Sequence, residues 1–306
     1  MIRPTILRLC APLALVAGGA LVSAQTLMPS TPPRGFGASV TPAYEGWFDN
    51  PDGTHTFLIG YFNRNTSSEI DVPIGPSNRF EPGNPDMGQP THFLTGRRYG
   101  MFVYTVPKEF GKNQKLTWSL TVNGVTSKVP FYMSTDYNIS PMKASEQGPS
   151  GYNLPPVLRF EARGESFAGP LGTIAKAVSR TATVGIPMSL DVSAEDDAQY
   201  SSGANTPMNV AASPVDLVIS KYRGSGTVTV ADPQAKVTAL RGGKPDERFS
   251  GKASTMVTFS ETGDYVVHVT ATDYSGNGGG GAACCWTTAI VKVSVKSDVP
   301  RTTGGQ

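Results

Sequence analysis

Hydrophobic positions along the chain occur in short runs that are rich in Val, Thr, Tyr and Phe and are bounded by turn residues. In the run YVVHVTATD, alternation places Tyr265, Val267, Val269 and Ala271 on one face of an extended strand. Helical periodicity is confined to one brief candidate around residues 171–178. The pattern therefore predicts an all-β protein with sandwich or barrel packing.

The strand-like runs form two groups, separated by a polar stretch that is rich in Pro and Gly. The first group has tight hairpin signals, such as Asn50-Pro51-Asp52-Gly53, and a long loop over 73–100. Loops of that length in compact domains are often functional. We expect two immunoglobulin-like β-sandwich domains in tandem, with an extended segment at 25–39, a first sandwich at 40–133, a linker at 134–156, a second sandwich at 157–296 and a flexible tail at 297–306.

Residues 1–24 have the composition of a secretory signal peptide. Arg3 and Arg8 precede an apolar run from Leu9 to Val22, which is too short to span a bilayer comfortably. Small residues then lead to a cleavage site after Ala24. We expect export to the periplasm, the cell surface or the extracellular space, with no transmembrane segment in the mature chain.

The charge balance narrows the classes of partner. The whole chain has 26 Lys and Arg residues against 24 Asp and Glu residues, and two of the arginines belong to the signal peptide. The mature chain therefore has no net charge, which argues against nucleic acid or an anionic membrane as a partner. We expect a protein or carbohydrate partner at the cell envelope.

The second group resembles one PKD-type immunoglobulin-like domain. The resemblance rests on VGIPMSLDVSAEDDA, on Gly263-Asp264-Tyr265 at the opening of a strand, on the following Thr272-Asp273-Tyr274-Ser275-Gly276, and on the closing AIVKVSV. The chain departs from the family in the turn Asp196-Asp197-Ala198, in a third strand without Trp, and in the added NGGGGAACCW. The resemblance implies a non-catalytic module that serves as a spacer or as a surface for protein or carbohydrate contacts.

A calcium site is one hypothesis for the acidic residues of the second sandwich. In an immunoglobulin-like fold, the loops after the second and sixth strands lie at the same end of the sandwich, beside the interdomain linker. That end gathers five residues with oxygen ligands, namely Glu195, Asp196, Asp197, Asp273 and Asn277. Such hard ligands suit Ca²⁺, and a solvated acidic loop is the alternative.

The mature chain has only two cysteines, Cys284 and Cys285, and they are adjacent. Their Cα atoms are about 3.8 Å apart, which is closer than an ordinary disulfide prefers, so a bond between them forms a strained eight-membered ring. Four upstream glycines would allow that turn. We predict a vicinal disulfide in an oxidising compartment, with a Cu(I) site, an intermolecular bridge or two unreactive thiols as alternatives.

Aromatic residues suggest a second kind of binding surface. Trp47 and Tyr61 belong to the first hairpin, and Trp286 follows the cysteine pair. If exposed, such rings would suit a sugar or a partner protein, whereas burial of both faces of the hairpin is the competing interpretation.

Two function classes remain open. The first is a non-catalytic exported protein for binding, adhesion or envelope structure, and the absence of a catalytic constellation in the sequence favours it. The second is a metal-binding or redox protein, using Cu or Ca, that depends on the cysteine loop, or an accessory subunit of an extracellular enzyme.

Overall fold

The computed structural model describes residues 31–142, 153–198, 213–242, 247–273 and 285–298. Strands make up most of the described residues, and the helical pieces are short 3-10 turns at Thr135–Tyr137 and Ile174–Lys176. The second turn lies inside the stretch that carried the brief helical signal, and strand β11 (Val178–Thr183) follows it at once. The all-β prediction is confirmed.

The first half of the chain forms a sandwich of two three-stranded antiparallel sheets. One sheet has the order β1-β2-β6, and the other has the order β4-β7-β8. A short ladder of β3 and β5 lies beside them. The strands are β1 (Val40–Asp49), β2 (His55–Asn63), β3 (Ile70–Asp71), β4 (Asn78–Glu81), β5 (His92–Phe93), β6 (Gly96–Val106), β7 (Leu116–Val122) and β8 (Val125–Phe131).

Large aromatic side chains fill the space between these sheets. Phe80 stacks on Trp118 with ring centroids 5.7 Å apart, and Phe102 meets Trp118 edge-on at 5.4 Å. The buried Asn78 side chain accepts a hydrogen bond from Trp118 Nε1 and donates two, to the carbonyls of Val72 and Pro90. Asn78 thus ties the predicted long loop to the core, because its amide would otherwise be buried without partners.

The second half forms a sandwich with an immunoglobulin-like strand order. One sheet has the order β10-β9-β12-β16-β14, with β15 also paired to β16, and the other has the order β11-β18-β17-β13. The strands are β9 (Val157–Arg159), β10 (Ser166–Ala168), β12 (Met188–Asp196), β13 (Asp216–Arg223), β14 (Val228–Val230), β15 (Thr238–Arg241), β16 (Phe249–Phe259), β17 (Gly263–Thr272) and β18 (Trp286–Lys296).

A tyrosine corner supports the immunoglobulin-like assignment. Tyr265, near the start of β17, donates a hydrogen bond from its hydroxyl to the carbonyl of Glu261, four residues upstream. The same hydroxyl accepts from the Gly226 N–H. This link at the corner before the sixth strand is a hallmark of immunoglobulin-type sandwiches. The sheet order and this corner show the immunoglobulin-like fold without assigning the chain to the PKD family.

Every ladder pairs strands from the same half of the chain, but the halves are packed against each other. The face of β17 that carries Val267 and Val269 is buried inside the second sandwich. Val266, on its opposite face, and Ile290 of β18 are buried with the core of the first sandwich. The first half therefore covers the outer face of the β11-β18-β17-β13 sheet. The exact domain bounds stay a prediction.

Among the described residues, no helix is both long and apolar enough to cross a membrane.

Candidate functional site

A bulge in β13 directs three consecutive side chains toward the first sandwich. The register of β13 against β17 shifts between Lys221 and Arg223. Lys221 Nζ lies 2.9 Å from Asp71 Oδ1, the Tyr222 hydroxyl donates to the carbonyl of Gly88, and Arg223 binds Asp86. In a regular strand the middle side chain would point the other way, so the bulge makes this docking possible.

The Asp86–Arg223 pair is the most directional of these contacts. Its two hydrogen bonds are parallel, at 2.8 and 2.9 Å, which is the fork geometry that arginine forms with a carboxylate. The hydrogen bond to Arg223 lowers the pKa of Asp86 below its usual value, although partial burial opposes this effect. The prediction of one long loop over 73–100 is wrong, because β4, β5 and the start of β6 lie within it. Asp86 and Gly88 belong to the segment between β4 and β5, and this segment holds Tyr222 and Arg223 of β13.

A cleft of about 710 Å³ lies beside this docking surface. Five residues of the first half line one wall, namely Glu69, Asp71, His92, Leu94 and Arg98. The second half lines the rest with Val218–Lys221, Thr227, Val228, Val230, Asp232, Pro233 and Gln234. The volume is in the range of about 300–1000 Å³ that is typical of ligand sites. We refer to this feature as the junction cleft.

A charged network forms the wall of the junction cleft. Strands β3 and β5 pair Asp71 with His92, so that His92 Nδ1 lies 3.0 Å from Asp71 Oδ1. His92 Nε2 lies 2.9 Å from Glu69 Oε2. The hydrogen bond to His92 lowers the pKa of Glu69. Lys221 also binds Asp71, so its buried ammonium group is paired, and the two carboxylates hold the imidazole of His92 in place.

The geometry of this network shows whether its residues could form the catalytic triad of a hydrolase. Ser220, His92 and Asp71 all line the junction cleft, which are the residue types of a serine–histidine–acid triad. A general base needs a ring nitrogen within reach of the serine hydroxyl. Both nitrogens of His92 instead face carboxylate oxygens. The arrangement suits a structural role for His92 and does not activate Ser220.

Sequence reasoning missed the residues of the junction cleft. The closest signal was the Pro- and Gly-rich stretch at 73–100, which contains His92 of β5, Leu94, and Arg98 of β6. Asp71 and Lys221 are 150 residues apart, and no motif or spacing connects them.

The acidic end of the second sandwich binds two residues of the predicted linker. Asn153 Nδ2 donates to Asp273 Oδ2 at 2.7 Å, and the N–H of Leu154 donates to Asp197 Oδ2 at 3.1 Å. The prediction that these loops lie beside the linker holds for the described members. Glu195 forms an ion pair with Arg159 at 2.7 Å, and Asn277 lies outside the described residues.

Asp196 is a buried acid at this end of the second sandwich. It is 7% exposed, and its Oδ2 has no hydrogen-bond partner among the described residues, while Oδ1 accepts from the Ala198 N–H. Burial raises the pKa of Asp196 to about 7, with a further contribution from the nearby Asp273 carboxylate. The residues that the structure describes do not include a group of three or more metal-ligating side chains. The calcium site therefore stays a prediction.

Only one of the two cysteines is described. Cys285 is buried immediately before β18, and its Sγ lies 3.4 Å from the carbonyl oxygen of Asn153. Cys284 lies outside the described residues. The vicinal disulfide stays a prediction, and the contact places Cys285 next to the linker end that Asp273 also binds.

The prediction of an exposed aromatic binding surface is wrong for two of its three residues. Tyr61 is fully buried, where its hydroxyl accepts from the Leu94 N–H, and Trp286 is 2% exposed against Leu58 and Val103. Neither ring is available to a ligand, because the opposing sheet and the other half of the chain cover them. Trp47 is half-buried and donates from Nε1 to the Ser134 carbonyl, 2.7 Å away.

No protein-family model and no curated protein matches this chain. Among solved structures, the chain is similar to domains 4 and 5 of the S-layer protein SbsC, with 12% identity, a TM-score of 0.21, and coverage of 60% of this chain and 65% of that one. It is also similar to the CupB6 tip adhesin from Pseudomonas aeruginosa, with 11% identity, a TM-score of 0.21, and coverage of 85% and 98%. A third similar structure is Titin-A168169, with 9% identity, a TM-score of 0.20, and coverage of 83% and 98%. Likenesses this low do not establish a shared function.

Proposed function

We propose that this protein is an exported, non-catalytic binding protein of the cell envelope, in which two docked β-sandwiches hold a ligand in the junction cleft. The observation that carries the proposal is the cleft itself, whose walls come from both halves of the chain. A binding site at the junction of two domains needs those domains to keep a fixed relative position. The Asp86–Arg223 fork and the apolar contacts around Val266 and Trp286 supply that constraint.

The hydrogen-bonding state of His92 supports binding over catalysis, because two carboxylates already occupy both of its ring nitrogens. Export is supported by the N-terminal segment, with its two arginines and its apolar run.

Site-specific photocrosslinking in the native host tests this function. A photoreactive amino acid replaces Thr227, which is exposed and lines the junction cleft. The matched control replaces Ile186, which is 54% exposed and is not among the lining residues. A crosslinked product that forms from position 227 and not from 186, in the envelope or culture fraction, is the expected result. Equal products from both positions, no product from either, or a chain found in the cytosol would contradict the proposal.

A further inference from the structure

The chain contains two acceptor sequences for N-linked glycosylation. They are Asn65-Thr66-Ser67 and Asn138-Ile139-Ser140, each with a hydroxyl residue two positions after the asparagine. The modification attaches a bulky, hydrophilic glycan to the side-chain nitrogen of the asparagine. That side chain must therefore reach solvent in the folded protein, and the structure separates the two asparagines on this point.

Asn65 has no place for a glycan in this fold. The residue is fully buried, and its Nδ2 donates to the carbonyl of Ala38 and to Asn63 Oδ1, at 2.9 and 2.8 Å. Its Oδ1 also accepts from the Ala38 N–H at 2.7 Å. A sugar on Nδ2 would replace one of the two hydrogens and leave a buried acceptor without its partner.

Asn138 lies on the surface, directly after the 3-10 turn Thr135–Tyr137. Its main chain is extended, with φ −73° and ψ 127°. The next residue, Ile139, is half-buried, and its N–H donates to the Trp47 carbonyl at 2.9 Å. Asn138 and Ser140, on either side of it, are exposed. The two side chains that define the acceptor sequence thus face solvent, while Ile139 anchors the segment to the first sandwich.

The residues before Asn138 are accessible as well. Asp136 and Tyr137 are both exposed, so a modifying enzyme meets a continuous surface from the turn to Ser140. Within the described part of the chain, no residue forms a hydrogen bond with the side-chain amide of Asn138. Attachment of a sugar to this amide therefore breaks no contact of the fold.

We propose that Asn138 is an N-glycosylation site, and that the co-substrate is an oligosaccharide linked to polyprenyl pyrophosphate. This inference rests on the export that the proposed function includes. In the transfer, Asn138 Nδ2 bonds to the anomeric carbon of the first sugar, and the bond between that carbon and the pyrophosphate oxygen breaks. The polyprenyl pyrophosphate leaves with the electron pair, and one proton of Nδ2 passes to the transferase.

Mass spectrometry of the protein purified from its native host tests this inference. The mature chain should be heavier than its sequence by the mass of an oligosaccharide. The added mass should lie on the peptide that contains Asn138 and be absent from the peptide that contains Asn65. Asn138→Gln and Ser140→Ala should each remove the added mass completely, whereas Ser140→Thr keeps the hydroxyl and should retain it.

Ser67→Ala is the matched control. It removes the acceptor sequence at Asn65 by changing an exposed side chain, and the added mass should stay unchanged. Melting curves confirm that each variant is folded. An unmodified Asn138 in the native chain, added mass that persists in Asn138→Gln, or a glycan on Asn65 would overturn the inference.

The outcome also separates this inference from the proposed function. Asn138 is not among the residues that line the junction cleft, so ligand binding there does not depend on the modification. An unmodified chain in the envelope or culture fraction would refute the glycosylation site and leave the binding function in place. A chain found in the cytosol would contradict both.

Discussion

His268 Nε2 lies 2.9 Å from the main-chain carbonyl oxygen of Met101 and so joins the two halves of the protein through a buried hydrogen bond. His268 is on β17, and its ring stacks on Tyr222 with centroids 5.4 Å apart. Thr270 Oγ1 lies 3.2 Å from the other ring nitrogen, Nδ1. A carbonyl can only accept, so Nε2 carries the proton. The neutral imidazole is the form that fits this interface.

His268 should make the protein less stable in acid. Burial lowers the pKa of His268 to about 4, below the ordinary value of 6.5. Between pH 6.5 and about 4, His268 is protonated in the unfolded chain and neutral in the folded chain. The free energy of unfolding therefore decreases as the pH is lowered through this range, by roughly 3 kcal/mol. His268→Gln retains an N–H donor for Met101 and should remove this part of the pH dependence. Urea unfolding of both proteins across pH 4–8 measures it, and parallel profiles would contradict the prediction.

Asp196 should make the protein less stable as the pH rises, which is the opposite of the effect of His268. Its folded-state pKa of about 7 is above the ordinary value of 3.8, so its contribution to stability is fully present below pH 3.8 and is lost as the pH rises through 7. Asp196→Asn keeps an acceptor for the Ala198 N–H and removes the buried charge. The variant should be more stable than the parent at pH 8, by a few kcal/mol at most, and similar to it at pH 4. A variant that is less stable at pH 8 would show that the carboxylate is bound by a partner such as a cation.

Calcium at the acidic end is a separate prediction. If Ca²⁺ binds there, millimolar calcium should raise the melting temperature of the mature protein, and Asp197→Ala should abolish the rise. Asp264→Asn, an exposed acid near the other end of β17, is the matched control and should keep the response. The absence of any calcium-dependent shift in the parent protein would rule out the site.

Gly100 allows the two halves to pack closely. Its φ is +46°, and a Cβ at this position would overlap the indole ring of Trp286. Gly100→Ala should therefore lower the free energy of unfolding by about 2–4 kcal/mol through backbone strain and overpacking. Gly124→Ala is the control, because Gly124 also has a positive φ, +77°, but open space around it. That control should cost about 1 kcal/mol. Equal losses in denaturant unfolding would show that Trp286 is not in contact with this site.

The cysteine pair is tested by mass spectrometry of the unreduced protein. The peptide that contains Cys284 and Cys285 should be lighter by two hydrogens than its reduced form, because both sulfurs are then joined in one ring. Reduction followed by alkylation should add two labels to the same peptide. Two thiols that alkylate without reduction, or a dimer that reduction separates, would refute the vicinal disulfide.

The sequence by itself determined the local structure. Alternation placed Tyr265, Val267 and Val269 on one face, which the second sandwich buries, and Gly263-Asp264-Tyr265 marked the start of β17. The acidic turn at 196–198 was correctly placed beside the linker, because strand order fixes which loops share an end of a sandwich. Such features depend on neighbours within one strand or one turn, so they can be read along the chain.

The tertiary structure alone decided what covers the outer faces. The face of β17 that carries Val266 and His268 has the alternation of an ordinary outer face, yet the first sandwich buries it. The junction cleft has the same origin, since Asp71 and Lys221 meet only after both sandwiches have formed and docked. Alternation specifies that a strand has two faces, but it does not say whether solvent or another domain lies against the second. That depends on contacts between residues more than a hundred positions apart.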